Sequence, residues 1–153
     1  MTLRDELHQT KPFTSLQHEA MLNIVRTSAT MMDEMDELLK ARGVTNTQYN
    51  VLRILRGAGP EGLCRNELRD RMLTRMPDVT RLLDRMEEAG LVARSRDNED
   101  RRLVSTRITD AGRKVVDELD APVHEYHARR MGHVSEEQLQ TLIDLLTLAR
   151  DRG

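Results

Sequence analysis

The sequence predicts a mainly α-helical fold with one small β-hairpin, and three observations predict it. Apolar residues recur at helical spacing along most of the chain. Ser/Thr-x-x-Gln patterns, which cap helix starts, stand before several of these stretches. Only around 91–108 does the pattern change, to two short strand-like runs about a charged tip. The 153 residues fit a single domain, 1–153, with room for a core. Charged residues make up 33% and aromatics 2%. The core must therefore come from Leu, Val, Ile, Ala and the nine Met. Such a composition can mark disorder, but the regular apolar period excludes it.

Residues 1–13 show no periodicity and are expected to form a loose arm. Thr14 to Gln17 reads as a capping box opening a long helix to about Arg42, stopped by Gly43. Met21, Val25, Ser28, Met32, Met35 and Leu39 lie along it at heptad steps. Thr45 to Gln48 repeats the box and opens a second helix through Tyr49, Leu52 and Leu55. Gly57, Gly59 and Pro60 close it. A third, short helix is expected over Arg65 to Met72, with Leu68 and Met72 inward.

The next stretch carries the most information. Thr74 is read as an N-cap, which places Pro77 in the first helical turn, where its missing N–H has no helical partner to lose. Val79, Leu82, Leu83 and Met86 share one face, and Asp78, Arg81 and Arg85 share the other, flanked by Pro77, Thr80 and Asp84. Gly90 ends this helix. Arg94 and Arg96 then lead into Asp97-Asn98-Glu99-Asp100-Arg101-Arg102 at the hairpin tip. Asp100 and Arg102 are two residues apart, so in extended chain they point the same way and can form a forked pair. An arginine held in one rotamer at a ribbon tip suits the negative potential of a narrow minor groove. After the hairpin, Thr109 or Asp110 caps a long helix to about Met131, distorted near Pro122. Ser135 to Gln138 opens the last helix, with Leu139, Leu142, Ile143, Leu146 and Ala149 on one side. A helix able to enter a groove beside a basic ribbon marks a winged helix-turn-helix with additional terminal helices.

Charge is distributed in keeping with this. The net charge is −2, yet residues 43–107 hold 13 Arg against 10 acidic residues, and both flanks are acidic. Arg suits bidentate contact with phosphate or guanine, so double-stranded DNA is the expected partner. No apolar run approaches the ~18 residues of a membrane span, and the N-terminus has no apolar signal core. A cytoplasmic protein is expected. The lone cysteine, Cys64, excludes an intrachain disulfide framework. No Ser-His-Asp set, phosphate loop or Cys-x-x-Cys motif is present, so no enzyme and no cofactor are expected.

Thr80 to Val92, TRLLDRMEEAGLV, resembles the recognition helix and exit strand of the MarR family of bacterial regulators. Asp100-Arg101-Arg102, followed by Ile108-Thr109-Asp110-Ala111-Gly112, is similar to that family's wing signature, Asp-x-Arg with an aliphatic-Thr-x-x-Gly close. The helix order extends the resemblance over nearly the whole chain. It implies a homodimer whose terminal regions, 14–42 and 110–153, intertwine, with 45–109 as the DNA-binding lobe. It further implies a repressor binding a pseudo-palindromic operator, with Pro77, Asp78, Thr80, Arg81 and Arg85 in the major groove and Asp100 and Arg102 in the wing. Arg65, Asn66 and Arg75 are expected on phosphates, and Arg94, Arg96 and Arg101 complete the expected interface.

The family commonly releases DNA on binding small aromatic or phenolic ligands. His18, Met21, Met35, Tyr49, Arg53 and Met72 are the expected pocket walls, with core packing as the plain alternative for each. Relatives that bind purine-like ligands use a Trp on the first helix, and this chain has no Trp. Cys64 offers a thiol and His124 with His127 a metal-ligand spacing. Thiol-sensing relatives carry their cysteine near the first helix instead, and the histidines lack a fixed third ligand. Cys64 is therefore read as structural, the histidines as surface residues, and no metal is expected. A metal- or thiol-responsive regulator, or a winged-helix module for protein interaction without specific DNA binding, is the alternative.

Overall fold

The computed structural model describes residues 1–96 and 104–151. Among the described residues seven helices and three strands follow in order. They are α1 (Leu3–Glu6), α2 (Leu16–Lys40), α3 (Asn46–Ala58), β1 (Leu63–Cys64), α4 (Arg65–Arg71), α5 (Val79–Glu88), β2 (Val92–Arg96), β3 (Val104–Ile108), α6 (Asp110–Met131) and α7 (Glu136–Arg150). The strands form one antiparallel sheet in the order β1-β3-β2. The architecture is the winged helix expected from the sequence.

Caps set the helix boundaries, because the first backbone N–H groups of a helix have no partner within it. Thr45 with Gln48 and Ser135 with Gln138 form complete capping boxes. Three expectations are corrected. The first helix of the long pair is capped by Ser15, which accepts from the N–H of His18, and not by a Thr14–Gln17 box; Thr14 instead bonds the His18 ring. The presumed loose arm contains α1, with its own capping box between Thr2 and Asp5 and a buried Leu3. Arg4 ties the arm back by donating to the carbonyls of Gln9 and Thr10. Finally α5 begins at Val79, not after Thr74. Asp78 is its N-cap, and Pro77 precedes the helix rather than lying in its first turn. The helical assignment of α6 runs through Pro122 without interruption.

The core gathers on α3, which buries Tyr49, Val51, Leu52 and Leu55. Leu68 of α4, the inward face of α5, Val92 of β2 and Val116, Leu119 and Val123 of α6 pack around it. Polar clasps reinforce the packing. Arg56 on α3 reaches Asp117 and Asp120 on α6, and Arg42 pairs with Glu118 at 3.1 Å. The Tyr126 hydroxyl on α6 lies within hydrogen-bonding reach of the Met31 carbonyl and the Glu34 carboxylate on α2.

The root of the hairpin explains its Thr-x-x-Gly close. The Thr109 hydroxyl donates to the Gly90 carbonyl at 2.6 Å and accepts from the Gly112 N–H at 3.0 Å. The Thr109 N–H donates to the Leu91 carbonyl. Gly90 takes a φ of +74°, and a Cβ on Gly112 would collide with the Leu91 carbonyl. Glycine is needed at both positions for different reasons, a left-handed turn and a close backbone approach.

The terminal helices differ from this packed centre. Helix α7 buries no residue and α2 buries only Leu39. Among the described residues no helix is long and apolar enough to cross a membrane.

Candidate nucleic-acid interface

Helix α5 has two unlike faces. Val79, Leu82, Leu83 and Met86 are buried, as their spacing predicts. Thr80, Arg81 and Arg85 are exposed on the outer side. The cap that starts this helix uses one oxygen of Asp78, which accepts from the Arg81 N–H at 2.9 Å. Asp78 thus has a structural task, and that task also fixes the backbone of Arg81.

Helix α4 contributes beside it. Arg65 and Asn66 are exposed in the first turn of α4. The Arg65 guanidinium donates to the Thr80 hydroxyl at 3.2 Å, joining two expected contact residues. With Cys64, Leu83, Arg94, Val104 and Thr106 they line a cleft of about 310 Å³ between the helices and the sheet. The segment between α4 and α5 carries Arg75 and Pro77, both exposed. It is held at its start by Asn50 of α3, whose side-chain oxygen accepts from the Leu73 N–H at 3.0 Å. Sequence reading missed Asn50, because nothing local marks a polar residue that caps a loop 23 residues away.

Arg94 is placed differently from the expectation. Its guanidinium donates to Glu87 at 2.6 and 3.0 Å and pairs with Asp84 at 2.6 Å. Its backbone N–H donates to the other Glu87 oxygen. The side chain is only 24% exposed. The forked bond from Arg94, reinforced by that backbone N–H, holds the Glu87 carboxyl below its ordinary range, and Glu87 in turn raises Arg94. A guanidinium committed to two carboxylates of α5 fastens β2 to that helix and is not free for a phosphate. Arg96 is exposed, on the sheet face that Arg94 also occupies. Arg107 on β3, absent from the expected set, is also exposed and leans on the Glu61 carbonyl at 3.3 Å. Asp100, Arg101 and Arg102 lie outside the described residues.

The expected ligand walls divide between the core and the surface. Tyr49 belongs to the core, and Met35 and Met72 pack against it. His18, Met21 and Arg53 are exposed. Burial is the largest influence on the Tyr49 hydroxyl and raises its pKa, while neighbouring Arg53 opposes the shift. Cys64 is half-buried at the start of α4, where the Glu67 carboxylate accepts from its backbone N–H at 2.8 Å. His124 and His127 are exposed on α6. Among the described residues no three potential ligands come together for a metal ion.

Comparison with known proteins agrees with this architecture. The model of the MarR family matches residues 44–104. The transcriptional repressor MdtR of Bacillus subtilis is 30% identical over 129 residues, covering 84% of this chain and 82% of the relative. A MarR transcription factor from Planctomyces limnophilus is 40% identical, with a TM-score of 0.68, over 90% of this chain and 99% of its own. MepR of S. aureus, in a structure of its DNA complex, is 26% identical with a TM-score of 0.75, over 83% of this chain and 93% of its own.

Proposed function

The chain belongs to the MarR family of transcriptional regulators, which are not enzymes, and on that premise we propose that it acts as a homodimeric repressor on a pseudo-palindromic operator. The observation that carries this reading is the division of α5. One face is locked into the core while Thr80, Arg81 and Arg85 are exposed on the other, with Arg65 and Asn66 alongside. Arg81 and Arg85 read base edges in the major groove, and Arg65, Asn66 and Arg75 hold phosphates. The wing, with Arg96 at the end of its first described strand, follows the flanking minor groove. MdtR is a repressor, and MepR has been seen bound to DNA; both favour this reading.

The dimer is supported by apolar surface left on the terminal helices. Leu16, Met21 and Val25 on α2 are 81%, 61% and 59% exposed, and Leu145 and Leu148 on α7 are 58% and 71% exposed. Soluble monomers rarely leave such contiguous patches uncovered. A second copy covers both, making 14–42 and 110–153 the dimerisation regions and 45–109 the reading lobe. Release follows binding of a small aromatic ligand where dimer helices meet the lobe. Met35 and Met72, pliable side chains at the core's border, favour that place.

The experiment is a salt titration of binding to the DNA upstream of its own gene. Specific binding that weakens steeply with salt is expected, because phosphate contacts release counterions. Absence of specific binding at low salt would overturn the reading and favour a protein-interaction module. Thermal-shift screening with phenolic, purine and metal-ion probes tests the release step. The phenolic class is expected to raise Tm, and a response to metal ions alone would replace the aromatic ligand with a metal.

A further inference from the structure

We propose that Arg56 is a positioning residue for operator binding, setting the distance between the two reading helices of the dimer through its clasp on α6. The inference rests on the dimeric reading above. Arg56 stands in the last turn of α3, and Asp117 and Asp120 lie three residues apart on one face of α6. One guanidinium nitrogen donates to Asp117 at 2.7 Å and to Asp120 at 2.8 Å, while the other donates to the second Asp120 oxygen at 2.9 Å. The Asp120 pair is a two-pronged fork. Such a fork is directional, whereas the leucine and valine contacts beneath it tolerate sliding and small rotation.

The two helices it joins have different destinations. Helix α3 governs the attitude of α5. It supplies the core that buries α5's inner face, and its Asn50 holds the segment leading into that helix. Helix α6 runs out of the lobe to α7, whose exposed apolar stripe forms the dimer. It is also pinned to α2 through Tyr126 and Arg130, the latter 3.1 Å from Glu34. A rotation of α3 against α6 therefore moves α5 relative to the dimer axis. Two half-sites one helical turn apart demand a fixed separation, and each base pair of error shifts a half-site by about 3.4 Å along the DNA. Arg56 makes the only fork recorded between these helices among the described residues, and it is well placed to hold that separation.

The test measures affinity for the protein's own operator and for versions with one base pair removed from, or added to, its centre. Wild type is expected to prefer the native spacing by about tenfold or more. Arg56→Met keeps the stem's packing and removes the fork. It is expected to lose about threefold on the native spacing, in line with a partly exposed ion pair, and to flatten the penalty on the other two. Asp120→Asn, which breaks the fork but leaves the Asp117 pair, should flatten it by less. It serves as the readout if the Met variant does not fold. Arg56→Lys should restore affinity more than spacing preference, because an ammonium pairs without forking. An equal loss on all three spacings means a structural role only and overturns the inference, as does no change. A wild type indifferent to spacing overturns the dimeric reading itself.

Discussion

Helices α5 and α7 carry similar sequence patterns and meet opposite fates. Both show apolar residues at helical steps and charges between them. Helix α5 buries four residues in ten, whereas α7 buries none in fifteen. The difference lies in what surrounds them. Helix α5 is enclosed by α3, α4 and the sheet, while α7 follows α6 beyond the lobe. An amphipathic stripe records that a face needs covering and says nothing about which chain covers it. In this protein one stripe is satisfied within the chain and the other is left exposed by it.

Substitutions should separate these fates. The largest effect is expected from Leu145→Asp with Leu148→Asp on α7. Both side chains are already exposed within the chain, so far-UV circular dichroism should be retained. Dimer formation, read by analytical ultracentrifugation, should be lost. Operator affinity should fall about 10²–10⁴-fold with the loss of bivalent contact. A dimer that persists with unchanged affinity would place the interface elsewhere. Next comes Met86→Ala, on the buried face of α5, which should cost about 2–5 kcal/mol in urea unfolding through the cavity it leaves. Smaller again is Arg81→Ala on the outer face. It should weaken operator binding by about 1–3 kcal/mol and relax sequence preference, with Tm nearly unchanged. Wild-type affinity in this variant would remove Arg81 from the interface.

The smallest effect concerns pH. Arg94 depresses the Glu87 carboxyl, so the pair contributes stability that is present above the ordinary carboxylate range, about pH 4. That contribution is lost as pH falls through the depressed value, when Glu87 protonates and its charge no longer holds β2 to α5. Glu87→Gln should therefore show a shallower acid limb of Tm against pH than wild type. Identical limbs would mean the pair adds nothing measurable.

How much of this was legible in the sequence depended on the range of each interaction. Caps spanning three residues were read correctly at Thr45 and Ser135, Thr109 was one of two candidates, and the buried face of α5 was also read correctly. The start of α5 was not. Thr74 and Asp78 are both good caps by residue type, and local sequence does not choose between them. Helix α1 and strand β1, four and two residues long, are shorter than any window in which a period can be recognised. In the candidate interface the outer residues of α5 stood out, but Arg94 looked like any other basic wing residue. Its difference is that Glu87 and Asp84 face it once the chain turns at Gly90. The Arg56 clasp spans more than sixty positions and leaves no local trace.

The hydroxyl of Thr109 has a mechanical consequence. It ties the exit of α5 at Gly90 to the first turn of α6 at Gly112, so both strands of the ribbon leave from one rivet. The described strands are also held further along, β3 by β1 and β2 by the Arg94 bonds to α5. Any shift of β2 and β3 at the rivet is shared by the end of α5 and the start of α6.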